Sequence, residues 1–216
     1  MAYTQLSICN LAILELGAAE LGESIANIDS TTDPVARRCK AIWEPVLLDI
    51  FDLPVKWKFA RARAQLVLIA DYPVFGKYEY AYALPSDCRE ILAMIDENDD
   101  DLEYEYSQEV YVNGATQTDC ILTNEEECRI RYKVYRPTPT YWPAWFVRLV
   151  ELKLAIQLGN SLTGQQEKVE RLKRDFMLAY DNAKISNAAL DNQVYGDGVN
   201  TDKGNTNIID AAQDGL

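Results

Sequence analysis

Trp57-Lys58-Phe59-Ala60-Arg61-Ala62-Arg63-Ala64-Gln65-Leu66-Val67-Leu68-Ile69-Ala70 is the stretch on which the fold turns. Its Ala, Arg, Leu and Gln residues lose little entropy in a helix, so composition predicts a helix from about Trp57 to Ala70. Large aromatics beside small residues suit close helix packing, and the two arginines would lie outward with their stems over apolar surface. Lys56, Lys58, Arg61 and Arg63, interleaved with Trp57 and Phe59, leave two roles open. They can touch nucleic-acid phosphates, or pack and pair with acidic side chains of a neighbouring subunit, which suits a chain this acidic.

Upstream, Leu53-Pro54 marks a turn after a helix that starts at Asp33-Pro34, with Asp33 as N-cap and Pro34 at the first helical position. Val35, Cys39, Ile42, Val46 and Ile50 share one face of it, and Pro45 is expected to kink or divide it. A first helix from about Thr4 to Leu16 follows from the three-four spacing of Leu6, Cys9 or Asn10, Ile13 and Leu16, and Gly17 stops it.

Downstream of Tyr72-Pro73 the period changes. Strands are predicted at Glu79 to Leu84, Arg89 to Ile95, Leu102 to Tyr106, Glu109 to Val112, Asp119 to Thr123 and Cys128 to Tyr135. Asn113-Gly114 is a two-residue hairpin signal, because both residues tolerate positive φ. In the last strand Cys128, Ile130, Tyr132 and Val134 share one face and Arg129, Arg131 and Lys133 the other, so one side alone is buried. Pro137, Pro139 and Pro143 close the β region.

Trp145, Leu149, Leu152 and Ile156 then form a helical stripe that ends at Gly159-Asn160. Thr163 and Gln166 offer a capping box for a last helix carrying Val169, Leu172, Phe176, Ala179 and Ala183, antiparallel to its predecessor. The expected class is therefore α+β: mainly an antiparallel helical bundle (1–77 and 137–195) interrupted by a small antiparallel β module (78–136), with an extended C-terminal tail (196–216). The tail is rich in Gly and Asn, with Ile208 and Ile209 as its short apolar element. It is either disordered or shaped against another chain.

The net charge of −13 is unevenly spread. Residues 96–127 carry twelve acidic side chains and no basic one, whereas residues 37–77 hold eight Lys or Arg against four acids. Such a balance opposes tight, phosphate-neutralising nucleic-acid binding. The chain has no histidine, which removes the usual neutral-pH acid/base group and the commonest metal ligand. Five cysteines without a CxxC read as reduced, buried small side chains of a cytoplasmic product, and no apolar run reaches the ~20 residues that span a bilayer.

Asp96, Asn98, Asp99, Asp100 and Asp101 resemble a cation loop, but the sixth position is Asp101 instead of Gly and the twelfth is Ser107 instead of Glu. A solvated acidic loop between strands is the expectation. Glu103 and Glu105 would project to one face of a strand without any polarising partner, and no phosphate-binding glycine motif occurs. No enzyme activity, cofactor or metal is expected. Tyrosines cluster at Tyr78, Tyr80, Tyr82, Tyr104, Tyr106 and Tyr111, which suits both a core and an interface.

Several landmarks occur in an order that resembles the head-to-tail adaptors of short-tailed bacteriophages, the tail tubular protein A family. They are Ile8-Cys9-Asn10-Leu11-Ala12-Ile13-Leu14-Glu15-Leu16-Gly17, Asp33-Pro34-Val35-Ala36-Arg37-Arg38-Cys39 with Trp43, and Trp57-Lys58-Phe59-Ala60-Arg61-Ala62. Tyr80 to Arg89, Trp142-Pro143-Ala144-Trp145-Phe146, Leu154-Ala155-Ile156 and Leu162-Thr163-Gly164 continue the series. The resemblance covers about residues 5–190. It implies a non-enzymatic ring in the virion neck, usually of twelve copies. Such a ring sits between portal protein and tail nozzle protein, with genomic DNA passing through without sequence-specific binding and no membrane involved.

On that footing Arg37, Arg38, Arg61, Arg63, Ile208 and Ile209 are candidate subunit or portal contacts. Asp96, Asp99, Asp100 and Asp101 are candidates for an acidic lumen or rim. Alternatives are another neck ring, such as a head-completion or tail-terminator protein, or a non-viral interaction module.

Overall fold

Local chemistry sets the helix starts. Thr4 caps α1 (Gln5–Glu15): its side chain accepts from the Ser7 amide while the Ser7 hydroxyl accepts from the Thr4 amide. Asp33 caps α2 (Pro34–Phe51) by accepting from the amides of Val35 and Ala36. Contrary to one of the two outcomes expected of Pro45, α2 is not divided there. Pro45 and Ala41, whose carbonyl loses its usual intrahelical donor, are both exposed, so the missing bond falls on the solvent side of the helix, where its loss costs least. The computed structural model describes residues 2–17, 24–70, 72–73, 76–162 and 166–190.

α3 (Ala144–Leu162) runs past Gly159-Asn160, where the sequence predicts an end. Gly159 serves close packing: a Cβ there would stand 3.0 Å from both Leu16 Cδ2 and Val169 Cγ2. α4 (Gln166–Ala189) returns antiparallel, since Gly159 meets Val169 and the Lys153 ammonium lies 5.9 Å from the Phe176 ring. Thr163, half of the expected capping box, lies outside the described residues.

The stretch 57–70 is not a helix. Only Lys58–Ala60 makes a 3₁₀ turn, and the chain then enters β1 (Arg61–Gln65) and β2 (Val67–Leu68). Arg61-Ala62-Arg63-Ala64-Gln65 alternates small apolar with long polar residues, the period of a half-buried strand. Ala62 and Ala64 pack on the sheet core, and pairing with a neighbouring strand overrides the helical propensity.

The other strands are β3 (Tyr80–Ala83), β4 (Cys88–Ile95), β5 (Asp101–Leu102), β6 (Ser107–Asn113), β7 (Thr116–Thr123) and β8 (Arg129–Val134). They form two four-stranded antiparallel sheets, in the orders β1-β8-β4-β5 and β2-β3-β7-β6. Each sheet takes one edge strand from 57–70. The protein is thus an α+β fold of four helices and two substantial sheets, not a mainly helical bundle with a small β module. The expected strand Leu102 to Tyr106 shortens to Asp101–Leu102, and residues 103–106 cross irregularly to β6. The tail at 196–216 lies outside the described residues.

Two cores result. Leu66, Tyr82, Met94, Ile121, Cys128, Ile130 and Tyr132 fill the space between the sheets, with the Cys128, Ile130 and Tyr132 face of β8 inward as its alternation predicts. A larger core joins the helices and reaches the β layer through an aromatic wedge. There Trp43 stacks on Trp142 (6.0 Å, 16°), Trp57 meets Trp145 at 5.5 Å, and Phe59 packs edge-on against Phe146 at 4.7 Å. Asn187 locks α4 to this joint, accepting from the Lys58 amide (2.8 Å) and donating to the Lys56 carbonyl (3.2 Å). Asn187 is 6% exposed. Asn187→Ala is expected to cost about 1 kcal/mol, because a backbone donor and acceptor lose their partners together. Urea unfolding measures it, with an unchanged m-value showing that the native and unfolded states are otherwise the same.

Candidate functional site

Strand register builds a ladder of like charges on the outer face of the first sheet. Arg61 lies opposite Lys133, and Arg63 opposite Arg131, with Arg129 next along β8. Like charges directly across an antiparallel pair repel, so this face folds only with compensation. It comes from the acidic turn between β4 and β5 together with acids of β4, β5 and the approach to β8. Asp99 takes both ends of the Arg63 guanidinium, at 2.5 Å each, and also pairs with Arg131 at 3.0 Å. Asp101 pairs with Arg131 at 2.7 Å, Glu90 with Lys133 at 2.6 Å, and Glu127 with Arg129 at 2.7 Å. Lys133 is only 3% exposed, so its partner matters more than a surface pair would.

The turn is shaped for this task. Asp96 accepts from the amides of Asn98 and Asp100, which turns the chain so that Asp99 sits at φ +69, a left-handed conformation Asp tolerates. The Asp100 amide, followed by those of Asn98, holds the Asp96 carboxyl below its ordinary range. The Arg63 fork, with Arg131 behind it, holds Asp99 well below. Asp100 itself is exposed. Arg63 and Asp99, assigned by sequence to different surfaces, meet each other. Arg131, absent from the candidate set, completes the site; its signal was the alternation of β8 combined with strand pairing at 61–65.

The remaining candidates lie apart. Arg37 and Arg38 project from the start of α2, both exposed, and Ile208 and Ile209 fall outside the described residues. Arg61 differs from its four neighbours on the ladder: it has no carboxylate partner among the described residues, and its Nε is buried without an acceptor. It borders an open groove of about 400 Å³ whose other walls include Asp87, Arg136, Pro137, Thr138 and Tyr141.

Elsewhere, Arg148 ties Glu15 of α1 to Glu151 of α3 at 2.6 and 2.5 Å, and burial raises the Glu151 carboxyl. Burial and Asp87 push the half-buried Cys88 thiol up to about 11, and burial lifts Cys128 to about 11, so neither is an activated nucleophile. Among the described residues no three His, Cys, Asp or Glu side chains are placed to hold a metal ion, and no helix is long and apolar enough to cross a membrane. No family model matches the chain, and no curated protein matches it in sequence.

Proposed function

We propose that this chain is a structural ring subunit of a short-tailed phage neck, joining portal protein to tail nozzle protein around a channel for DNA. One observation supports it most. Three of the segments that carry the family resemblance meet at one joint: Trp43 from α2, Trp57 and Phe59 ahead of β1, and Trp142, Trp145 and Phe146 around the start of α3 pack on one another. Landmarks that assemble into one packing unit are a stronger mark of shared architecture than scattered matches.

The surface agrees with a life in an assembly. Val67 (73% exposed), Val110 and Val112 lie in the edge strands β2 and β6 of the second sheet, and Leu178 and Ile185 share the outward side of α4. Exposed apolar edge strands are what a free monomer avoids and a subunit buries. The acidic balance suits a wall that DNA passes without adhering.

Cryo-electron microscopy of the full chain mixed with its portal ring tests the role. A closed ring coaxial with the portal is the expected outcome. No association at physiological salt would remove the adaptor role and favour a free-standing interaction module.

A further inference from the structure

We infer that the groove beside Arg61 is a receptor for a carboxylate of a second copy of this chain, supplied by the exposed acidic stretch Glu103–Tyr106. The second copy rests on the ring reading above; the groove chemistry does not.

The receptor is built and incompletely satisfied. Four of the five cations on the sheet face have carboxylate partners, and Arg61 alone has none among the described residues. A buried donor on a charged group calls for an acceptor, since burial strips away the water that would otherwise supply one. Arg136 stands across the groove, positioned in advance: its Nη1 donates to the Phe59 carbonyl at 2.8 Å, and its guanidinium lies 4.8 Å from the Tyr141 ring. Asp87 is the single acid lining the groove, and it accepts from the Tyr132 hydroxyl at 3.2 Å. Two guanidiniums against one carboxylate leave room for one more negative charge. Tyr141, 63% exposed, offers an aromatic wall of the kind found at interface anchors.

The donor is narrowed by what the acids nearest the sheet edge already do and by its place in the fold. Asp99 and Asp101 are held by arginines of their own chain, and Glu127 by Arg129. Within 103–106, Glu105 is paired with Lys77 of its own chain, whereas Glu103 has no partner among the described residues; the four residues are exposed throughout and carry no regular structure. They bridge β5 to β6, the edge strands on one side of the sandwich, whereas Arg61 lies in β1, the edge strand on the other side. Three strand spacings, about 14 Å, separate the two edges. Residues 103–106 do not line the groove of their own chain, so one copy does not fill its own groove, and a donor on one edge with a receptor on the opposite edge makes a head-to-tail contact, the kind that closes into rings.

The test uses full-length protein carrying a photo-crosslinker at position 141 (Tyr141→p-benzoylphenylalanine), mixed with ¹⁵N-labelled wild type, with and without the portal ring. Crosslinks are mapped by mass spectrometry, and assembly is scored separately by sedimentation velocity. The expected result is a crosslink from position 141 of the light copy to the 103–106 peptide of the heavy copy. It should fall at least about tenfold, equivalent to 1.4 kcal/mol, in Arg61→Gln/Arg136→Gln and equally in Glu103→Gln, a change on an exposed segment that breaks no ion pair among the described residues. Mixing Arg61→Glu with Glu103→Lys should restore it. Assembly without a crosslink to 103–106, or a crosslink indifferent both to the Arg61→Gln/Arg136→Gln pair and to Glu103→Gln, overturns the groove and leaves the ring standing. Absence of any assembly, alone or with the portal, overturns both.

Discussion

Trp57→Ala is expected to be the most damaging single substitution described here, costing about 3–5 kcal/mol. The side chain is fully buried, with ring neighbours Trp145 and Phe146 at 5.5 and 5.6 Å. Its indole Nε1 donates to the Ile50 carbonyl at 3.2 Å, satisfying an acceptor in the last turn of α2. Truncation opens a cavity at the joint between helices and sheets and removes the indole hydrogen bond, while the Ile50 carbonyl keeps the Leu53 amide at 3.4 Å, so the cavity dominates the loss. Trp57→Phe keeps most of the ring contacts and loses the hydrogen bond, so it should cost about 1 kcal/mol. Thermal unfolding separates the two, at roughly 2–4 °C per kcal/mol for a chain of this size. Equal midpoints for the two variants would mean that packing at position 57 contributes nothing.

Asp99→Asn should cost about 2 kcal/mol at neutral pH, since one carboxylate serves two guanidiniums that register places side by side. Asparagine tolerates the same left-handed backbone, so the change isolates the charge. A third of the Asp99 side chain is exposed, and salt screening trims the effect, which should shrink further at high ionic strength. The pH dependence has a definite sign. The folded-state pKa of Asp99 is depressed below its ordinary 3.8, so its stabilisation is complete above that value and is lost as pH falls toward the folded pKa. The gap between wild type and Asp99→Asn should be flat from neutral pH to about 5 and close below about 4. A gap that widens on acidification would contradict the pairing.

The helical layer was legible because its signals are local. Asp33-Pro34 announces α2, Thr4 starts α1, and the stripe through Trp145, Leu149 and Leu152 marks α3. The sheets were legible where alternation is strict, as in β8, or where a turn is chemically specified, as at Asn113-Gly114 between β6 and β7. What escaped was 61–68. Ala and Arg are good helix formers one residue at a time, and only pairing with β8, some 68 positions later, makes their two-residue alternation count. The charged site was lost by the same step. With Arg61 and Arg63 read on a helix, nothing brought them opposite Lys133 and Arg131, and the acids at 96–101 had no evident cation to serve. No sequence signal marked Arg136 or Tyr141; their importance comes from where β8 delivers the chain.

The aromatic joint has an optical consequence. The chain contains four tryptophans, and all of them, Trp43, Trp57, Trp142 and Trp145, belong to the helical core at that joint, whereas the space between the sheets is lined by tyrosines and aliphatic side chains. Intrinsic indole emission therefore reports on one seam of the molecule and is silent about the sandwich, while far-ultraviolet dichroism weighs both layers. The two colours of signal read different halves of one chain, so their superposition or separation along a single denaturant curve states whether helices and sheets melt as one cooperative unit or as two.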